Sequence, residues 1–326
     1  MNVFSADQPV LLLSMNKSAI LLPNWIGDML LALSLVMKMP EERRAGTTLL
    51  VPRHMAELVE VLSGMPQITY ARRTVEERKS TISAVRQRMF DSIFLLPYSF
   101  SSALFACRTG IPRRRGLSRE MRGFLLTERL PGNLRDRNCH ITREYAAILD
   151  VPFAEPELWQ GSPVVSDPAY RGSVVFCPGA EYGPAKKWMY FADLARILEG
   201  ERIVILGTAS DRQAAADVVQ AVPDRVTDLT GKTTLPEAAS IMSGARLVVS
   251  NDSGLMHLAG FLGTPVAGIF GSTSPVWTRP NGSKTSVLFS NEPCAPCFRR
   301  TCRYGHYRCL HDIGPLDVVK AMKTLC

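Results

Sequence analysis

The sequence predicts an α/β protein made of two doubly wound, Rossmann-like domains that face each other across a cleft. Three observations carry that expectation. The chain has 326 residues, more than a single hydrophobic core usually fills. Short apolar runs alternate with helix-like stretches, the pattern of parallel strands covered on both faces. The alternation stalls once, near the middle, and then resumes.

Residues 18–22 are an apolar run stopped by Pro23, and they read as the first strand. The turn Pro23-Asn24-Trp25-Ile26-Gly27-Asp28 leads into an apolar helical pattern that lasts to about Met37. Residues 47–51 read as a second strand, followed by a helical stretch to Leu62. Residues 91–96 read as another strand, closed by Pro97. Between 150 and 173 the periodicity is interrupted by Pro152, Pro156, Gly161, Pro163 and Pro168, which marks a linker. Strands are then expected at 173–177, 202–206, 247–250 and 265–270, with helices at 188–198, 211–219, 235–242 and 253–262. The expected domains are residues 1–165 and 166–326. In open sheets ligands bind at the carboxyl ends of the strands, so the gap between such domains is the expected site.

Hydrophobic residues at 46% and charged residues at 21% exclude a disordered chain and a small disulfide scaffold. The net charge of +8 suits a phosphate-bearing ligand, an anionic lipid surface or nucleic acid, and does not choose among them. No run of eighteen apolar residues occurs, so no membrane span is expected. The first eighteen residues lack the basic start and small-residue cleavage site of a signal peptide. A cytoplasmic location follows as the expectation, with the eight cysteines as thiols.

Three segments fall at strand-to-helix turns. In the first, Gly27 lets the backbone come close to a ligand, and Asp28 opens a helix whose dipole favours a carboxylate. A simple first-turn cap is the commoner role for such an Asp. In the second, Cys177-Pro178-Gly179-Ala180-Glu181-Tyr182-Gly183-Pro184-Ala185-Lys186-Lys187-Trp188, backbone N–H groups and an ammonium can meet a phosphate. A solvated loop with two surface lysines fits the composition equally. In the third, Val248-Val249-Ser250-Asn251-Asp252-Ser253-Gly254-Leu255-Met256-His257, the helix start offers free N–H groups to an anion. Asp252 or Ser253 would otherwise be only its cap.

Leu229-Thr230-Gly231-Lys232-Thr233 resembles the end of a phosphate-binding P-loop. Val226 stands where that pattern needs its first glycine, so the segment is left as a lining of a nucleotide pocket through Thr230, Gly231 and Thr233. No Gly-x-Gly-x-x-Gly fingerprint and no Asp-x-Asp pair occur, which argues against a dinucleotide dehydrogenase and against a dedicated metal–diphosphate site. Cys294, Cys297, Cys302 and Cys309 cluster with His306 and His311. Such spacing can wrap zinc, but it matches no common finger, and packed or redox-active thiols remain the alternative. The basic run Arg113, Arg114, Arg115, Arg119 and Arg122 has no interleaved aromatics, so a phosphorylated or carboxylated acceptor is expected there and no nucleic acid.

Together the turns at 23–28, 178–188 and 251–257 resemble the ADP-heptose:lipopolysaccharide heptosyltransferases, glycosyltransferase family nine. The resemblance runs from about Ser18 to about Leu316. With Cys294-Ala295-Pro296-Cys297-Phe298, it is closest to the type II enzymes. It implies a GT-B fold and an inverting, metal-independent sugar transfer without a cofactor. The implied donor is ADP-L-glycero-D-manno-heptose, bound mainly by the C-terminal domain. The implied acceptor is heptosyl-Kdo2-lipid A at the inner face of the inner membrane, held by Arg113, Arg115, Arg119 and Arg122. Asp28 takes the family's general-base position, and Lys186 matches the lysine that neutralises the donor phosphates. Asp252, Ser253, Gly254, Leu255 and His257 match the segment around the diphosphate and sugar, and Asp211 matches a ribose-binding acid. Other readings kept open are a type I enzyme, another nucleotide-sugar transferase of this fold, and a non-catalytic nucleotide-binding protein. Residues before Ser18 receive no role.

Overall fold

The computed structural model describes residues 17–71, 74–132 and 137–325. Among them, the first half forms β1 (Ser18–Leu21), β2 (Thr47–Pro52), β3 (Gln67–Tyr70), β4 (Ser92–Leu95), β5 (Arg113–Leu117) and β6 (Glu128–Leu130). The second half forms β7 (Val174–Cys177), β8 (Ile203–Ile205), β9 (Val226–Asp228), β10 (Leu247–Asn251), β11 (Val266–Phe270) and β12 (Thr285–Phe289). The strand orders are β3-β2-β1-β4-β5-β6 and β12-β11-β10-β7-β8-β9, all paired in parallel. Each half therefore repeats the same winding and reverses beside its own first strand, β1 next to β4 and β7 next to β10. Strands β1, β2, β7, β10 and β11 are buried along their whole length, which is why they read as unbroken apolar runs. The Lys17 end of the described chain leaves residues 1–16, which carry the unassigned N-terminal extension, outside the described residues.

The helices that leave the two reversal points face one another. Helix Ile26–Met37 follows β1, and helix Gly254–Leu262 follows β10. A Cβ built on Gly254 would lie 2.9 Å from Ile26 Cβ, so the missing side chain is what lets the helices meet. Asn281 Nδ2 also donates to Ser34 Oγ at 2.6 Å between the halves. The stretch read as a linker is not loose. Trp159 is buried, lies with its ring tilted against Phe261 at a centroid distance of 5.0 Å, and donates its indole N–H to Phe261 O at 2.8 Å.

The run at Arg113 is itself strand β5. It was unreadable as a strand because its outer residues are exposed and cationic, and burial begins only at Gly116.

Candidate active site

Asp28 sits in the first turn of helix Ile26–Met37. That helix starts at Trp25 with no side-chain capping bond, so Asp28 does not act as a cap. Its neighbour Gly27 lies against the ring of His257 from the facing helix. A Cβ at Gly27 would fall 2.5 Å from His257 Cδ2. Gly27→Ala is thus expected to push the halves apart and destabilise the protein by about 1–3 kcal/mol, which thermal melts check.

Beside His257 lies a buried pair. Lys186 Nζ stands 2.6 Å from Asp252 Oδ2, and the Thr273 hydroxyl donates to the same carboxylate. His257 Nε2 is 4.0 Å from Asp252 Oδ1. Burial, the dominant cause, raises the Asp28 pKa to about 6; Lys186 draws it back and Asp252 pushes it up. Burial lowers the His257 pKa to about 4, against the opposing pull of Asp252 and with a smaller push from Lys186. His257 is therefore neutral near pH 7, and its Nδ1 is buried with no hydrogen-bond partner among the described residues. Asp28, Lys186, Asp252 and His257 thus form one group, as their positions at three strand ends imply.

Lys186 reaches this group because Asn251 pins its loop at both ends. Asn251 Nδ2 donates to Pro178 O at 2.7 Å, and its Oδ1 accepts the Trp188 N–H at 3.1 Å. Asn251 and Thr273 were missed as functional residues. Asn251 lay inside a recognised segment as a polar residue ending a buried strand, whereas nothing marked Thr273.

Next to the charged group a cavity of about 540 Å³ opens, lined by Ile26 from the first half and mostly by second-half residues. Asp211, Gly231, Thr233, Ser253, Gly254 and Leu255 all face it. Ser253 begins helix Gly254–Leu262 without a side-chain cap, so the helix's first N–H groups stay available to an anion. Asp211 accepts the Thr208 N–H and hydroxyl at 3.0 and 2.8 Å, with Lys187 3.6 Å away. A Cβ on Gly179 would lie 2.3 Å from Asp211 Oδ2, so only glycine lets that loop close here. Thr230 is not among the residues that line this cavity; it is buried, and its hydroxyl meets no partner among the described residues. A second cavity of about 360 Å³, lined in part by Asn24, Arg53 and His54, lies in the first half.

The arginines do not share one acceptor-facing surface, which corrects the expectation of a common basic patch. Arg113 is exposed and paired with Glu128 at 2.7 Å. Arg115 donates to Ile148 O and Ala147 O, each at 3.0 Å. Arg122 is fully buried and donates to Leu117 O and Ser102 Oγ at 2.9 Å each; burial lowers its pKa to about 10. A guanidinium has five donors, and these side chains spend them on carbonyls at strand and helix ends. Arg119 is paired with Glu144 and lies 4.4 Å from the Tyr98 ring centroid; Tyr98 in turn feels the Asp28 charge.

The sequence pattern of glycosyltransferase family 9 (heptosyltransferase) matches residues 78–308. Lipopolysaccharide heptosyltransferase 2 of Escherichia coli (strain K12) is 29% identical, over 95% of this chain and 98% of its own length. Lipooligosaccharide heptosyltransferase 2 of Haemophilus influenzae is 28% identical, over 93% and 97%. The solved structure of E. coli ADP-heptose LPS heptosyltransferase II matches with a TM-score of 0.77 at 28% identity, covering 95% of this chain and 98% of that one. A family 9 glycosyl transferase from Veillonella parvula shares the fold at the same TM-score and 19% identity, over 95% and 97%. The two facing Rossmann-like halves are the GT-B architecture that was expected. Matched over most of its length by that family's pattern, the chain belongs to glycosyltransferase family 9, the heptosyltransferases.

Proposed function

We propose that this chain is a heptosyltransferase II. It moves L-glycero-D-manno-heptose from ADP-heptose to heptosyl-Kdo2-lipid A, in the inner core of lipopolysaccharide. The observation that carries the reading is the meeting of Asp28 from one half with Lys186, Asp252 and His257 from the other, at the mouth of a nucleotide-sized cavity. Asp28 takes the proton of the acceptor hydroxyl. The oxygen attacks the anomeric carbon as the bond to ADP breaks, and the electron pair leaves with ADP. Attack opposite the leaving group inverts the anomeric centre. Lys186 and the N-terminus of helix Gly254–Leu262 receive the departing diphosphate, so no divalent cation is required at the reacting carbon. The adenosine lies in the larger cavity against Asp211, Gly231 and Thr233. The units that divide this labour are residues 1–165 for the acceptor and 166–326 for the donor. Arg53 and His54, beside Asn24, add a guanidinium and an imidazole to the lining of the second cavity for the acceptor.

Incubation with ADP-heptose and heptosyl-Kdo2-lipid A should add one heptose by mass, at a rate that omission of magnesium and manganese leaves unchanged. Product from Kdo2-lipid A lacking heptose, and none from the heptosylated acceptor, would move the reading to type I. No product with any heptose acceptor would end it.

A lipid-anchored acceptor places the chain on the inner face of the inner membrane. No helix among the described residues is long and apolar enough to cross it. Met121 and Phe124 are exposed on the first half, with Phe124 at a ring-centroid distance of 6.1 Å from exposed Phe100. Flotation with anionic vesicles is expected to fall as salt rises, each basic residue contributing about 1 kcal/mol. Met121→Ser with Phe124→Ser should weaken it further; salt-independent flotation unaffected by both changes would count against peripheral docking.

A further inference from the structure

Between β12 and helix Arg308–His311, residues 290–307 contain neither strand nor helix, and none of them is buried. A segment this long without its own structure is uncommon in a compact fold. Yet its backbone supports the loop that carries Lys186. The Tyr182 hydroxyl donates to Phe298 O at 2.6 Å, Ala185 N–H to Arg300 O at 3.0 Å, and Phe298 N–H to Ser272 O at 2.7 Å. Apolar packing does not hold this segment in place, so another staple is needed.

The segment is rich in ligating groups. Cys294, Cys297, Cys302 and Cys309 are thiols, none in a disulfide. Cys309 lies within electrostatic reach of the other three, as Cys294 does of Cys297 and Cys302. Ligand atoms of Glu292, Cys294 and His306 all fall within 4.8 Å of one another. Backbone N–H groups of Tyr304, Gly305, His306 and Tyr307 converge on the Cys302 sulfur, and Gly305 takes φ +74° to close that turn. N–H groups aimed at a sulfur are the outer support that a metal-bound thiolate needs. His306 Nδ1 already accepts the Arg308 N–H at 3.1 Å, which leaves Nε2 facing elsewhere.

We infer that this cluster binds one soft transition-metal ion, zinc or iron, with Cys294, His306 and Glu292 as the ligands already drawn together and Cys297, Cys302 and Cys309 as the neighbouring thiols that complete the site. Thiolate and imidazole ligands suit these two ions over hard cations. The ion clips residues 290–307 against the back of the Lys186 loop. It is a structural ion, separate from the reacting carbon, and its detection does not depend on which donor the enzyme uses.

Metal analysis of the full chain purified under reducing conditions is expected to find about one zinc or iron per chain. Visible absorption separates coloured iron–thiolate from colourless zinc. Cys297→Ser and Cys302→Ser should lose the ion, while Cys107→Ser, far off in helix Phe100–Thr109, should keep it. If the variants fail to fold, cobalt exchanged into the unaltered chain should show sulfur-to-cobalt charge-transfer absorption. A metal-free chain whose four thiols react as fast as Cys107, or an intact mass showing disulfides among them, overturns the inference.

Discussion

Asp28→Asn is expected to lower the transfer rate by about a thousandfold while ADP-heptose still binds, because a general base contributes on the order of 10²–10⁴. The same substitution removes the acid limb of the pH profile. Asp28 must be ionised to accept a proton, and burial has brought its pKa up to about 6. In the unaltered enzyme kcat/KM should therefore fall as pH drops through about 6. A bound diphosphate partly cancels the Lys186 charge that pulls this pKa down, so the limb measured with donor saturating should lie higher. An Asp28→Asn enzyme that keeps near-normal turnover, or an unchanged acid limb, would remove Asp28 from the mechanism.

Asp28 also carries a stability consequence with a definite sign. Its pKa in the folded chain lies above the ordinary 3.8, so the native state holds the proton more tightly than the unfolded one. Stability from this group is present below pH 3.8 and is lost as pH rises through about 6. At pH 8 an ionised carboxylate sits in a crowded site, and Asp28→Asn should be more stable than the unaltered chain by about 3 kcal/mol. Below 3.8 the difference should vanish. Chemical denaturation at the two pH values measures it.

The same division between wholly buried and partly exposed residues explains what could be read before folding. Strands β1, β7, β10 and β11 were legible because every residue in them is buried, leaving uninterrupted apolar runs. Strands β3, β5, β6 and β9 were not, since exposed Thr69, Arg113, Arg129 and Thr227 break the pattern in three edge strands and in β5 just inside one. Asp28, Lys186, Asp252 and His257 could be singled out because each belongs to a turn that follows a legible strand, and their roles came from the family resemblance of those turns. Their partners were not. A sequence shows the charge of Arg119 and Arg122 but not the carboxylate and carbonyls that absorb it. Nor does it show that Lys186 faces Asp252 before it faces any ligand.

That last contact makes Lys186→Gln the second large effect. Lys186 Nζ lies 2.6 Å from Asp252 Oδ2, and the Asp252 side chain is only 3% exposed. Removing the ammonium takes away an attraction for the diphosphate and leaves a buried carboxylate with the Thr273 hydroxyl as its remaining close donor among the described residues. That carboxylate then repels the same diphosphate. Transfer is expected to fall by about 10²–10³ in kcat/KM, with ADP affinity falling alongside it by calorimetry. Because two opposed terms are involved, Asp252→Asn in the Lys186→Gln background should restore part of the lost ADP affinity, although Asp252→Asn alone should not improve it. The acid limb of Lys186→Gln should also move to higher pH, since Lys186 is the group holding the Asp28 pKa down. Simple additivity of the two substitutions in ADP binding would mean that Lys186 and Asp252 act on the donor separately, and that the ion pair is only a resting contact.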